Sequence, residues 1–131
     1  AAGTLNFGFG NGGLVSGYDV GNPFDQPVAM VRTANGGLLL MGDAPTLASG
    51  KSVLWRVTAG GLADTSLGTT GRLEIGSVNS YGFRLAALSD GGIALLDSVY
   101  ATTARVSHFD ASGVLDSAFG AAGSTTIALA G

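Results

Sequence analysis

Apolar residues along this chain come in short runs, and glycine or a polar pair closes almost every one of them. The first four runs are 13–18 (GLVSGY), 27–33 (PVAMVRT), 37–42 (GLLLMG) and 52–58 (SVLWRVT). Four more follow at 71–76 (GRLEIG), 83–89 (FRLAALS), 92–98 (GIALLDS) and 103–109 (TARVSHF), and a ninth at 124–130 (STTIALA). Each has the length of a strand, and no stretch carries the i, i+3, i+4, i+7 stripe of an amphipathic helix over three turns. The pattern predicts an all-β chain with strands near these nine segments. Asn35-Gly36 and Asp90-Gly91 lie between apolar runs and predict tight type I′ hairpins, with positive φ at both central residues.

The runs are ordered by a repeat. The phrases GTLNFGFGNGG (3–13), GLADTSLGTTG (61–71) and GVLDSAFGAAG (113–123) start 58 and 52 residues apart. Between them ANGGLLLMGD (34–43) matches SDGGIALLDS (89–98), and VLWRVTAGG (53–61) matches RVSHFDASG (105–113). The chain is therefore one repeat domain, 1–131: a first repeat over about 3–60, a second over about 61–112, and the start of a third at 113–131.

FDASGVLDSAFGAAG, preceded by LSDGGIALLDS, resembles the delta-60 repeat family of bacterial proteins, whose repeats pair a D-G-K-I-like hairpin with an L-D-x-x-F-G-x-x-G phrase. The match spans nearly the whole chain; Leu67 replaces the Phe, Ala63 the Leu, and Asn6 stands where Asp64 and Asp116 stand. The resemblance implies tandem four-stranded β-propeller-like blades, here two repeats plus one extra terminal strand. It also implies a secreted or cell-surface location, and it carries no catalytic residues. Physically, the eleven-residue phrase reads as a clasp between the last strand of one blade and the first of the next. Asp64 and Asp116 are placed to accept backbone N–H groups of their own turns. Phe9, Leu67 and Phe119 would plug the apolar base of each blade. Gly68, Gly71, Gly120 and Gly123 allow positive φ or close backbone approach, as do Gly10 and Gly13.

Charged residues are only 11% of the chain, against 46% hydrophobic residues and 23 glycines. So uncharged a surface suits an assembled or extracellular protein better than a cytosolic one. With six Lys and Arg and a net charge of −3, there is no basic footprint for nucleic acid or anionic lipid. No apolar run reaches the length of a membrane-spanning helix. Cysteine is absent, which excludes disulfides and thiolate chemistry. The opening Ala1-Ala2-Gly3, without an initiating Met, is what signal-peptide processing or trimming leaves.

Little chemistry can be assembled from what remains. His108 is the single histidine, and strand alternation puts it with Val106 on one face, opposite Ser107 and Phe109, where it reads as a surface or interface residue. A histidine-based metal centre does not follow from one His and no Cys. Calcium is the better metal candidate, because Asp43, Asp64, Asp90, Asp97, Asp110 and Asp116 lie near turns. No Asp-x-Asp-x-Asp loop occurs, however, and Asx turns account for the same carboxylates. GFGNGG lacks the Gly-Lys-Ser/Thr ending of a phosphate loop, and no helix follows it. Trp55 lies mid-strand and reads as core. Tyr18, Tyr81 and Tyr100 fall in or beside loops, where they could meet a carbohydrate ligand or a neighbouring subunit.

Two blades cannot close a ring, and they leave strand edges that invite pairing with another chain. The expected function is that of a non-enzymatic, self-associating extracellular structural protein whose partners are other copies of itself. The alternative is a lectin-like module in a closed homo-oligomeric propeller. The strand at 124–130, with Thr125, Ile127 and Leu129 alternating against Thr126 and Ala128, is expected to pair with or pack against the next copy.

Overall fold

A computed structural model describes residues 3–16, 26–44, 51–75, 80–99 and 102–129. Eight strands form among these residues: β1 (Gln26–Arg32), β2 (Leu38–Ala44), β3 (Lys51–Val57) and β4 (Arg72–Ile75), then β5 (Ser80–Ala87), β6 (Ile93–Val99), β7 (Thr103–Phe109) and β8 (Ser124–Ala128). They make two antiparallel four-stranded sheets in sequence order, β1-β2-β3-β4 (sheet 1) and β5-β6-β7-β8 (sheet 2). Every described strand falls on an expected segment. The expected strand at 13–18 does not form over its described part, where Leu14 makes only an isolated bridge to Asn11. Its last two residues lie outside the described residues.

The hairpin turns are where the sequence puts them, but they are of another type. Thr33 N–H donates to Gly37 O and Gly36 N–H to Thr33 O, which makes a three-residue loop. Only Gly36 has positive φ, at 86°, so the loop is a type I turn closed by a glycine bulge. Asn35 keeps negative φ, and its Oδ1 accepts the Gly37 N–H. The same pattern recurs at Leu88–Gly92 with Gly91, at Thr58–Leu62 with Gly61 and at Asp110–Val114 with Gly113. One turn design thus closes these four reversals.

Strand pairing shifts the boundary between the repeating units. The segment at 71–76 is expected to open a second blade, yet β4 pairs along β3, from Trp55↔Arg72 to Ser52↔Ile75. The reason lies in the reversal at 58–62. It lays Ala63 back along Val57, and Arg56 then takes both Asp64 N–H on its carbonyl and Gly71 O on its N–H. The clasp is a loop inserted into a β3–β4 hairpin. Likewise β8 pairs with β7 in the same chain, from Thr103↔Ala128 to Ser107↔Ser124. It is not a lone strand awaiting a partner; its inner edge is already taken.

Alternation gives each sheet two apolar faces. Leu39, Met41 and Leu54 of sheet 1 bury against Ile93, Leu95 and Phe109 of sheet 2, with Leu67 of the clasp among them. Ala29, Val31, Leu73, Ile75 and Leu85 pack around this cluster. Pro27 sits on β1, an edge strand whose register slips between Pro27 and Ala29, where its missing N–H is tolerated.

The turn type makes a prediction. Gly36→Ala should destabilise the chain by about 1–2 kcal/mol, because an alanine must adopt the left-handed conformation. Asn35→Gly should also destabilise, by about 0.5–1 kcal/mol. A type I′ turn, with Asn35 at positive φ, would make the second change neutral or stabilising. Denaturant midpoints of the two variants decide between the turns.

Candidate functional site

The clasp is built three times with the same wiring. Phe9, Leu67 and Phe119 N–H groups donate to the carbonyls of Asn6, Asp64 and Asp116. Gly13, Gly71 and Gly123 donate in turn to the carbonyls of Phe9, Leu67 and Phe119. Between these bonds Gly10, Gly68 and Gly120 take φ near 58°, where a β-carbon would run into the backbone of the returning chain. The predicted Asx turns form: Asn6, Asp64 and Asp116 each accept, on Oδ1, the N–H two residues ahead. Asp90 and Asp110 do the same for Gly92 and Ser112.

A polar pair ties each complete clasp to its own sheet, and sequence reading missed it. Arg56 Nε stands 3.0 Å from Asp64 Oδ2, both groups largely buried. Arg56 Nη2 also donates to Ser66 Oγ at 2.7 Å. In sheet 2 the corresponding pair is His108 Nδ1 and Asp116 Oδ2, 2.9 Å apart. The signal was present: Arg56 and His108 occupy one repeat position, eight residues before the clasp aspartate. The Ser66 hydroxyl, helped by Arg56, holds the Asp64 carboxyl below its ordinary pKa despite partial burial. The Ala118 N–H and then His108 do the same for Asp116, and the Ser112 hydroxyl for Asp110. These aspartates are engaged in turns. Among the described residues no group of three or more His, Asp or Glu could hold a metal ion. Asp97, expected near a turn, instead lies buried within β6 and pairs with Arg105 across the ladder to β7. The side chain of Asp43 is not described.

The clasp also reaches the neighbouring sheet. Gly68 N–H donates to Ser112 O at 2.9 Å, and Gly10 N–H donates to Gly60 O at 2.8 Å. Ser112 and Gly60 hold the same place in the two reversals that follow β7 and β3. The fit is close. A β-carbon on Gly113 would meet Leu67 Cδ1 and Leu73 Cδ2 at 2.9 Å, and one on Gly61 would meet Gly10 N at 2.5 Å and Val15 Cγ2 at 3.0 Å. Each sheet thus has a donor face, flanked by its clasp, and an acceptor face that receives the clasp before it.

Among the described residues, one donor face is covered by a sheet and the other is not. In sheet 1, Leu67 is fully buried. Its counterpart Phe119 is half-buried, resting on the His108 ring at a centroid distance of 5.5 Å. Phe119 was expected to match Leu67 in burial; it does not, because no further sheet packs on sheet 2 among the described residues. Leu96, Ile127 and Leu129 of this region are 37%, 49% and 50% exposed. Thr125, Thr126 and Ala128 are exposed with them. The acceptor face of sheet 1 forms a groove of 460 Å³ whose walls include Phe9, Leu14, Met30, Leu40 and Trp55. Trp55 is buried, and its Nε1–H has no partner among the described residues. Tyr18 and Tyr100 lie outside the described residues. Tyr81 lies in β5, and its side chain is not described.

Burial sets the expected costs of truncation. Leu67→Ala should destabilise the chain by about 2–5 kcal/mol. Phe119→Ala should cost about 1 kcal/mol or less in dilute solution, because a half-exposed ring gives up little burial. Equal losses, measured by denaturant unfolding, would show that the two clasps are packed alike. No family model, curated protein or solved structure matches this chain, so its function is read from its own geometry.

Proposed function

We propose that the chain is a non-enzymatic structural repeat protein that associates with copies of itself through the uncovered donor face of sheet 2. One observation carries the reading. The contact that covers the donor face of sheet 1 lies within the chain, and the same elements recur on sheet 2 with none of the described residues packed on them as a further sheet. Ala94, Leu96 and Val106 stand where Leu39, Met41 and Leu54 stand in sheet 1, and Phe119 stands where Leu67 stands. An apolar face of this kind, built on strands and bordered by a clasp, marks an interaction surface.

Each sheet in this reading is one blade of a propeller-like stack, and the stack continues from one copy to the next. Donor and acceptor faces differ, so the contact is heterologous and runs head to tail, giving a ring if the rotation closes and a filament if it does not. The scarcity of charge supports the same reading, since few like charges oppose contact between copies. An extracellular setting, in keeping with the composition and the family resemblance, belongs to the proposal.

Removing β8 would strip β7 of its outer ladder, so surface substitution isolates the face better than truncation does. Light scattering of the intact chain should show a mass that rises with concentration above 12.9 kDa. Leu96→Lys, which puts a charge on an already exposed position, should hold the mass at that of one chain. If Leu96→Lys assembles as fully as the parent, the donor face is not the contact.

A further inference from the structure

Among the described residues, the N-terminal clasp has few of the anchors that hold the other two. Residues 61–75 are joined to β3 by a ladder and by the bonds of Arg56, and they belong to a sheet that covers the acceptor face beneath them. Residues 3–16 repeat the clasp, and among the described residues they join no ladder of a sheet. Among the described residues, the Gly10 N–H to Gly60 O bond is the one backbone hydrogen bond that joins them to either sheet. Phe7 and Leu14 are 75% and 60% exposed. The segment still takes the docking position, with Phe9 and Val15 where Leu67 and Leu73 would come, and the open groove beside them is the space a donor face would fill.

We infer that residues 3–16 are an exchangeable cap on the acceptor face of sheet 1, displaced by residues 113–128 of a second copy during assembly. The two segments compete for one site because they carry the same phrase and the same turn. Gly120, the counterpart of Gly10, has no backbone bond on its N–H among the described residues and is free to take Gly60 O of the next copy. The incoming segment brings more than the cap does. It arrives on sheet 2, so Leu96 and Val106 come with it and cover Met30, Leu40 and Trp55, which the cap leaves at the wall of a groove. A segment tied by so few contacts opens locally at low cost, and the fraction of time it is open sets the apparent affinity for the second copy.

This inference rests on the self-association proposed above, and the test separates the two. Phe9→Ser removes the plug of the cap. Gly10→Ala forces a β-carbon to 2.1 Å from Leu14 O and breaks its turn without touching either sheet. Both variants should assemble at concentrations at least about tenfold below the parent's midpoint in a light-scattering dilution series. Acrylamide quenching of Trp55, the single tryptophan, should rise in the uncapped monomer and fall on assembly. If both variants assemble at the parent's concentration or above it, while Leu96→Lys blocks assembly, the cap is refuted and the association stands. If parent and cap variants alike remain single chains at every concentration, both are refuted.

Discussion

Leu67 leaves the plane of its own sheet and ends, fully buried, among Ile93, Leu95 and Phe109 of the next. Much else in the structure follows from letting it do so. Gly113 must lack a β-carbon for Leu67 and Leu73 to come so near, and Gly68 must take positive φ to turn its N–H toward Ser112. The Asp64 Asx turn and the Arg56 pair hold the clasp in its docked shape from within sheet 1. Burial of apolar area supplies the driving force, and these polar bonds fix the register in which the burial happens.

That division of labour explains how the clasp tolerates changes in its sequence. Arg56 with Asp64 and His108 with Asp116 place a guanidinium and an imidazole against corresponding carboxylates. Asn6 keeps the Asx turn with no charge at all. What does not vary is the backbone: the bond from plug to Asx residue, the bond from last glycine to plug, and the glycine near φ 58° between them. The plug itself changes from Phe to Leu to Phe, two apolar side chains of different shape. The one that sits in a completed interface is the leucine.

Much of this was legible in the sequence, within limits that are physical. Short apolar runs between turn residues mark the strands because a strand's burial is local and periodic. Asn35-Gly36 and Asp90-Gly91 mark reversals but not their type, since a two-residue and a three-residue loop use the glycine alike and differ in φ at Asn35 and Asp90 and in whether Ala34 and Ser89 join the loop. A repeat can be cut at any phase. The cut that places β4 with β3 is made by Arg56, whose two backbone bonds hold both ends of the clasp loop, and no composition reveals that. Leu67 and Phe119 occupy equal places in equal phrases and yet differ in burial, because burial belongs to the neighbour and not to the phrase. Arg56 and His108 could have been found, as each stands eight residues before an aspartate predicted to cap a turn.

A clasp is ordered across sheets by a bond from its central glycine to the following reversal. Native-state hydrogen exchange on the isolated chain tests it at single amides. The Gly68 N–H, bonded to Ser112 O, should exchange only with opening of the two sheets from each other. The Gly120 N–H, in the same turn with the same φ, should exchange rapidly in dilute solution and slow as the concentration rises. Equal protection of the two amides in the dilute chain, or rapid exchange at Gly68, would contradict it.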